Sequence, residues 1–428
     1  MAPHLHPAIP SAPIVTHTGM KTVALIDPIW AGHHPMYFGQ FSASFLRAGA
    51  RVIAICPKPD DAHREILEAA GNLASHNRIH LEPLSPVKRS FFNGRFEGDP
   101  LRTYLRWKNA GKAIDLALTK TGWKPDLVFF PYLDAYLRFL PIPSIPEITI
   151  GIPWSGLYLR NHHFAEKPSP LHRLRLLAKG DALMRSTSCR EIGVLDERFN
   201  SAIANHTGKP VVSYPDVTQT LLPTTEPDLV RSIREKSLTR KITGIIGLEK
   251  RKGVLTLMRA ALEAHRQNLP LYFVFAGNFI RSTFDPDELA WLESIATRIR
   301  NGEIQSIHFD PLSPRIPNEP EYNALFKSFH IAWAAYENFH GSSGTLSKAA
   351  AFEIPVIAST GECIGTRVKR HNTGILIPQA DSSAALTAIN QLAKGLDSNG
   401  EALRPDYETY RNLHSIQHLD HILAKLLD

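Results

Sequence analysis

From Lys21 onward the chain alternates short apolar runs with longer segments whose apolar residues recur at helical spacing. Short runs rich in β-branched and aromatic residues predict strands, and the segments between them predict helices. Regular alternation of this kind is typical of α/β folds with parallel sheets. In the first half it predicts helices over 37–48 and 104–119 and strands over 22–26, 51–56, 126–130, 148–152 and 192–195.

A second alternation begins at residue 242 and repeats the pattern. Val254, Leu257 and Leu262 share one face of the helix predicted after its first strand. The predicted strands of this half are 242–246, 271–276, 307–309, 330–335, 355–358 and 375–377.

Two such halves predict two Rossmann-like domains facing each other across a cleft. The first would span 21–215 and the second 241–403, joined by a linker over 216–240 with Pro and Thr near its start. The amphipathic segment 404–428 predicts a helix, over 407–427, that packs back on the first domain. Open parallel sheets bind ligands at the carboxyl ends of their strands, so the cleft is the predicted binding site.

Composition is ordinary for a globular protein, since 43% of the 428 residues are hydrophobic and 21% are charged. Cys56, Cys189 and Cys363 are odd in number and lack metal-ligand spacing. They predict a reducing, cytoplasmic setting without a disulfide framework or zinc site. Residues 1–20 predict a disordered leader and not a signal peptide. No run approaches the roughly 20 apolar residues that span a bilayer.

The chain has 48 Lys and Arg against 41 Asp and Glu, with a pI near 9.2. This excess suits an anionic substrate, a nucleic acid or a membrane surface. Nucleic acid is disfavoured because the chain has no aromatic–basic RNA motif, zinc finger or long basic run. Segment 171–179 combines leucines with Arg and Lys, and predicts either peripheral contact with acidic lipid at the cytoplasmic membrane face or an ordinary solvated helix face.

Two loops that follow strands of the second half have the composition of anion-binding cradles. In 337–345, small residues before an alanine-rich helix let backbone N–H groups approach a phosphate at the helix's positive end. A Ser/Thr-capped helix without a ligand explains that segment equally well. Segment 247–253 places Lys250, Arg251 and Lys252 beside glycine, and such cations suit a diphosphate. Both cradles fall on one edge of a predicted sheet, which favours a shared phosphate site.

Three further segments are candidates. Gly277 ends a buried strand and predicts a tight turn, with or without a ligand beside it. His33 and His34 follow the first strand, and a histidine there can hydrogen-bond a sugar or phosphate. The Asp-x-Asp pattern at 285–287 predicts a helix start and not a metal site, since Asp is a good N-cap and Pro286 fits the first helical position.

Several catalytic motifs do not occur in the sequence. There is no Gly-x-Ser-x-Gly elbow, no Walker A pattern, and no Gly-x-Gly-x-x-Gly after the first strand. Nucleophilic serine catalysis and dinucleotide oxidoreduction are therefore disfavoured.

Taken together, these segments resemble the GT-B glycosyltransferases, in particular the retaining enzymes of family 4. The resemblance implies a GT-B fold and transfer of a sugar from a nucleotide-diphosphate donor, held by the second domain, to a hydroxyl of a glycan, glycolipid or small molecule. It further implies retention of configuration, no metal, and no cofactor besides the nucleotide sugar as co-substrate. It extends from Lys21 to the final helix and is carried mainly by 246–254, 275–277, 342–349, 354–359 and Gly374, with 32–35, 194–197 and 214–216 in the first domain.

The resemblance also implies roles for single residues. Glu337 and His33 would be catalytic, and Gly32, His33 and His34 would form the acceptor-side loop. The positions of the family's two glutamates hold His340 and Lys348, and we expect Lys348 to reach phosphate or to face solvent. The donor phosphates would be bound by Arg251, Lys252, Ser342, Ser343, Gly344 and Thr345, and the donor sugar or nucleoside by Glu337, His340, Lys348 and Gly277.

The missing glutamate pair leaves a second hypothesis open, a catalytically degenerate GT-B protein that binds a nucleotide or glycan or acts as a scaffold. A sugar-nucleotide epimerase or a phosphorylase of similar architecture is a third. The sequence assigns neither the acid and base groups of an epimerase nor the cofactor lysine of a phosphorylase. Donor base, sugar and acceptor depend on side-chain geometry across the cleft.

Overall fold

The computed structural model describes residues 19–74, 77–87, 99–165, 170–312 and 315–428, so nearly all of the predicted leader lies outside the described residues. The chain forms two parallel β-sheets with helices on both faces. The first sheet contains β1 (Thr22–Ile26), β2 (Arg51–Cys56), β3 (Ile79–Pro83), β4 (Leu127–Phe130), β5 (Trp154–Tyr158), β6 (Cys189–Val194) and β7 (Val211–Ser213). The second contains β8 (Lys241–Leu248), β9 (Leu271–Phe279), β10 (Ile307–Phe309), β11 (Ile331–Ala334), β12 (Val356–Ser359) and β13 (Gly374–Ile377).

Helices connect consecutive strands, as parallel pairing requires. In the first half they are α1 (His34–Arg47), α2 (Pro59–Ala70), α3 (Pro100–Thr121), α4 (Asp134–Leu137), α5 (Ile145–Thr149), α6 (Pro170–Lys179) and α7 (Asn200–Thr207). In the second half they are α8 (Asp228–Ser237), α9 (Val254–Arg266), α10 (Pro286–Arg300), α11 (Glu319–Lys327), α12 (Gly344–Ala351), α13 (Glu362–His371), α14 (Ser382–Ala393), α15 (Tyr407–Leu413) and α16 (Ile416–Leu427). No helix in the described part of the chain has both the length and the hydropathy needed to cross a bilayer.

Both sheets are doubly wound. Their strand orders are β3-β2-β1-β4-β5-β6-β7 and β10-β9-β8-β11-β12-β13. The winding reverses where β1 pairs with β4 and where β8 pairs with β11. Each reversal opens a crevice at the carboxyl ends of two neighbouring strands, which is where such sheets bind ligands. The predicted α/β architecture of two Rossmann-like domains is confirmed.

Each sheet is buried on both faces, so its strands are continuous apolar runs. In the first domain, α1, α2 and α16 cover one face and α3, α4 and α5 the other. In the second domain, α9, α10 and α14 cover one face, and α8, α11, α12, α13 and α15 the other.

The predicted strand over 148–152 is wrong. Pro146 stands in the first turn of α5, which ends at Thr149, and Ile148 is 72% exposed. The strand of this region begins only at Trp154, after Pro153. The edge strands β3 and β7 were not predicted as strands, because short edge strands carry a weak periodic signal.

The predicted linker and the predicted final helix are both more structured than expected. Segment 216–240 contains α8, whose Val230 and Ile233 pack in the core of the second domain. The single helix expected over 407–427 is two helices, α15 and α16, with Ser415 capping the second. Helix α16 packs on α1, where Arg47 and Asp420 form an ion pair of 2.7 Å.

Candidate active site between the two sheets

Three glycines lie close together at the carboxyl ends of β8 and β9, beside the reversal point of the second sheet. Gly247, Gly253 and Gly277 all have positive φ, at 77°, 74° and 82°. A Cβ on Gly253 would lie 2.5 Å from the carbonyl oxygen of Ala335, and one on Gly277 would lie 3.1 Å from the Gly247 nitrogen. The end of β8 therefore contacts the end of β9, the loop after β8 contacts the chain after β11, and glycine is what allows both. Gly277 lies inside β9, which continues to Phe279, so the prediction that Gly277 ends its strand is wrong. The predicted common edge for the two cradles is found.

The three cations of the β8 loop have different partners. Lys252 Nζ donates to the Ile246 carbonyl oxygen at 3.1 Å, folding back over the loop. Arg251 pairs with Glu249 at 2.7 Å and lies 5.1 Å from the Phe339 ring centre. Both side chains therefore stay at the crevice, and Arg251 is half exposed.

Lys250 is directed away from that crevice. Its ammonium pairs with Asp285 at 2.7 Å and with Glu288 at 2.8 Å. The same two carboxylates form the capping box of α10, with Pro286 in the first turn. The prediction that 285–287 is a helix start is confirmed.

Glu337 lies beside the basic loop. Its N–H donates to the Arg251 carbonyl oxygen at 2.7 Å, and its Oε1 accepts from the Thr256 hydroxyl at 2.7 Å. The side chain is half-buried at the end of β11. The backbone bond joins the β8 and β11 loops, so one carboxylate and two cations share the crevice.

The serine-rich segment before α12 uses its hydroxyls internally. Ser343 caps the helix by accepting from the Thr345 N–H at 3.2 Å. Tyr336 Oη bonds both side chains, at 2.8 Å to Thr345 and 3.3 Å to Ser343. Gly344, the first helical residue, is exposed. The Leu346 N–H also donates to the Ser343 carbonyl oxygen at 3.0 Å, so of the first-turn N–H groups it is that of Gly344 that the exposed helix start offers to a ligand.

Lys348 neither reaches a phosphate cradle nor faces solvent, and both expectations for it are wrong. Its side chain is 7% exposed, and its ammonium bonds Glu319 at 2.5 Å, the Gln219 carbonyl at 3.0 Å, and Asn323. Burial lowers the pKa of Lys348 despite the bond to Glu319. Lys348, which occupies the position of the family's second glutamate, thus forms an ion pair inside the protein.

His340 belongs to a contact between the domains. It bonds Glu362 at 2.9 Å and stacks on His162 of the first domain, with ring centres 5.3 Å apart. Arg198 of the first domain donates to the His340 carbonyl oxygen at 3.2 Å and pairs with Glu362 at 3.1 Å. Burial acts against charge on Glu362, but hydrogen bonds from His340 and Arg198 outweigh it and lower its pKa.

The first domain presents a histidine at its own reversal point. His34 Nδ1 bonds Asp27 Oδ2 at 2.8 Å, and the imidazole stacks on Tyr132 with ring centres 3.6 Å apart. Asp27 is fully buried and also accepts from the Ile29 N–H. Burial raises the pKa of Asp27, opposed by His34. His33, in contrast, is exposed at the loop after Gly32.

Asp27, Tyr132 and Asp216 were not singled out from the sequence. Asp27 could have been, because it directly follows β1. Asp216 is buried between the domains, near Arg367 and Ser342, which favour its charged form. Burial nevertheless raises the pKa of Asp216, and among the described residues its Oδ2 has no hydrogen-bond partner. Its neighbours come from distant segments, which a sequence pattern does not show.

The comparisons with known proteins agree with this geometry. Residues 240–395 match the family described as glycosyl transferases group 1. Among curated protein sequences, none matches the chain.

Solved structures share the fold over nearly the whole chain. HepE from Anabaena, solved with UDP and glucose, is 14% identical, with a TM-score of 0.59 over 96% of this chain and 99% of that one. A UDP-forming α,α-trehalose-phosphate synthase from Burkholderia xenovorans is 13% identical, with a TM-score of 0.63 over 96% and 99%. A glycosyltransferase from Rickettsia africae is 12% identical, with a TM-score of 0.60 over 95% and 98%.

The resemblance to GT-B glycosyltransferases is confirmed. Residues 240–395 match the group 1 glycosyltransferase family, and the two-domain fold is that of the solved structures above. The roles given to single residues stay predictions.

Proposed function

We propose that this protein transfers a sugar from a nucleotide-diphosphate donor to a hydroxyl acceptor, with retention of configuration and without a metal ion. The observation that carries the proposal is the close approach of Gly247, Gly253 and Gly277 beside Arg251, Lys252 and Glu337 at the reversal point of the second sheet. Close backbone approach, two cations and the start of α12 together suit a diphosphate.

The diphosphate would lie between the β8 loop and the start of α12. Arg251 and Lys252 would exchange their internal partners for phosphate oxygens, and the backbone N–H of Gly344, at the start of α12, would face the same anion. Charge that develops on the leaving diphosphate is then stabilised by fixed donors, which is the main catalytic demand of this transfer. Glu337, held by Thr256, would accept a hydrogen bond from a donor-sugar hydroxyl.

The acceptor would lie over the first-domain crevice. His34, held by Asp27 and Tyr132, is better placed than the exposed His33 to bind an acceptor hydroxyl. Retention requires the departing phosphate to take the acceptor proton on its own face. The anomeric configuration of the product, read by NMR, tests this directly. Inversion would instead make His34 the base, since Asp27 orients its ring as a base requires.

One observation favours a second function, a GT-B protein that binds nucleotide or glycan without turnover. Lys348 replaces the second glutamate of the family motif and is locked in an internal ion pair. A donor contact expected from that position is therefore missing. Turnover of a bound nucleotide sugar separates the two functions.

Calorimetric titration with UDP, GDP, ADP, TDP and CMP in EDTA tests the phosphate site. Replacing both Arg251 and Lys252 by Ala should weaken binding of the preferred diphosphate by about 2 kcal/mol or more, because bonds to charged groups are worth roughly 1.5–3 kcal/mol each. Lys250→Ala is the matched control from the same loop, and should leave affinity nearly unchanged because Lys250 bonds α10. Equal affinity of the double variant and the wild type would remove the site from this crevice.

A further inference from the structure

The net positive charge of the chain comes from its first half. Residues 1–215 contain 25 Lys and Arg against 17 Asp and Glu, a net charge of +8 with histidine neutral. Residues 216–428 contain 23 against 24, a net charge of −1. The proposed donor site is in the second half, so a donor diphosphate does not account for this excess.

The first domain also exposes large apolar side chains close together in the chain. Ile148 on α5 is 72% exposed, and Leu171 and Leu174 on α6 are 63% and 61% exposed. Phe139 and Ile142, between α4 and α5, are about half exposed. Single exposed apolar residues are normal, but a group of them on one face indicates an interaction site.

Contacts of α3 with α5, and of the loop after α4 with α6, place these elements on one side of the first sheet. The Phe139 N–H donates to the Ala178 carbonyl oxygen at 3.0 Å, which joins the loop after α4 to α6. A Cβ built on Gly111 of α3 would lie 2.0 Å from the Thr149 carbonyl oxygen, so α3 and α5 are in close backbone contact. This face is opposite the one covered by α1, α2 and α16.

The helices of this side are rich in basic residues. Lys108 and Lys112 are exposed one turn apart on α3, beside Gly111, which contacts α5. The sequence of α6 contains Arg173, Arg175 and Lys179 and no acidic residue.

Acidic groups offset this charge only in part. Asp115 is exposed on α3. Glu147 on α5 accepts hydrogen bonds from the hydroxyls of Ser186 and Thr187 and from the Ser188 N–H, which stabilise its negative charge. The sequences of α3, α5 and α6 still contain eight Lys and Arg against these two acidic residues, so exposed apolar side chains occur on elements with a net positive charge.

We propose that this face, formed by α3, α5, α6 and the loop between α4 and α5, docks on a bilayer that carries anionic headgroups. Apolar side chains would enter the boundary between headgroups and acyl chains, and Lys and Arg would lie among the phosphates. An apolar centre alone would suit many protein partners. The charge excess of this domain selects an anionic surface, and the spread of single apolar side chains over three elements suits a planar one.

Co-sedimentation with vesicles tests the proposal. Wild type should bind vesicles of phosphatidylcholine with phosphatidylglycerol, bind pure phosphatidylcholine at least about tenfold more weakly, and be released by high salt. Ile148→Ser with Leu171→Ser should lower the partition coefficient at least about tenfold, and so should Lys108→Glu with Lys112→Glu.

Matched controls come from the second domain. Leu238→Ser with Leu312→Ser removes equally exposed apolar side chains, and Lys327→Glu with Lys394→Glu reverses equally exposed charges. Both double variants should bind as wild type does. Because all substituted residues lie outside the crevice, each variant should keep wild-type diphosphate affinity, so failure here is distinct from failure of the donor site.

Three results would overturn the proposal. The first is sedimentation of the wild type with neither vesicle, or equally with both. The second is a loss of binding in the controls as large as in the variants of the first-domain face. The third is loss of binding in the lysine variant with none in the Ile148 and Leu171 variant, which would show that the apolar side chains do not enter the bilayer.

Discussion

At the scale of single residues, the donor crevice depends on the absence of side chains. Gly253 has φ of 74° and no space for a Cβ against the β11 strand end. Gly302 has a similar φ of 79° but nothing within 4 Å of a Cβ. Comparing alanine variants at the two positions therefore distinguishes the cost of the positive φ, which both positions have, from the cost of the close contact, which only Gly253 has.

Gly253→Ala should therefore lower the free energy of unfolding and weaken diphosphate binding at least about tenfold, since the β8 loop must move from the β11 loop. Gly302→Ala should cost about 1 kcal/mol of stability from the positive φ alone, with diphosphate affinity unchanged. Thermal unfolding and calorimetry measure the two effects. Equal affinities in the two variants would show that contact between the loops is unimportant for binding.

Substitution of Lys348 tests whether this residue stabilises the fold or contacts the donor. Lys348→Met should lower the free energy of unfolding by about 1–3 kcal/mol, because Asn323 loses a buried partner and Glu319 loses its cation. Diphosphate affinity should stay within about twofold of wild type. A large loss of affinity at unchanged stability would instead make Lys348 a donor ligand.

At the scale of elements, α15 fixes the start of the linker between the domains. His414, directly after α15, accepts a hydrogen bond from the Asp216 N–H at 3.0 Å and stacks on Tyr410. Burial and the nearby Arg367 lower the pKa of His414 to about 3. The structure thus holds this ring neutral, whereas in the unfolded chain it titrates near pH 6.5.

Stability should consequently fall in mild acid. The unfolded state takes up a proton at His414 below about pH 6.5, while the folded state does so only near pH 3. The contribution is complete above pH 6.5 and decreases by at most about 1.4 kcal/mol per pH unit as pH falls through that window. Urea unfolding at about pH 7.5, 6 and 5 measures the slope, and His414→Asn should flatten it. Equal slopes would assign the acid sensitivity to other groups.

Element positions were predictable where burial on both faces makes a strand a continuous apolar run, as in β1 and β8. The run 148–152 misled because the alternating Ile-Thr-Ile-Gly-Ile is strand-like, whereas Pro146 starts a helix and Pro153 delays the strand. Its exposed Ile148 instead belongs to the proposed membrane face.

The candidate site was predictable to the extent that it lies in local segments. The loops 247–253 and 337–345 were found because glycine, cations and a helix start occur within a few residues. Lys348 was misjudged because its partner Glu319 lies on α11, and Asp27 was missed because only the fold brings Tyr132 against His34. Long-range pairs of this kind have no periodic signature in one sequence.

At the scale of the whole molecule, two reversal points face one cleft and distinct contacts fix their relation. Arg198 and Glu362 pair across the domains, as do Arg367 and Glu197 at 2.8 Å. The donor crevice lies on the second domain, and the hydrogen-bonded pair of His34 and Asp27 lies on the first. This arrangement suits transfer between two bound substrates, which neither domain would accomplish alone.

The decisive measurement is release of nucleoside diphosphate as the sugar passes from the donor to a supplied glycan hydroxyl or to water, with the base chosen by the calorimetric screen and EDTA present. Wild type should release the diphosphate, and Glu337→Gln should release it at least about tenfold more slowly at nearly unchanged donor affinity. Tight donor binding without release in either protein would contradict catalysis and establish a nucleotide-binding GT-B protein in its place.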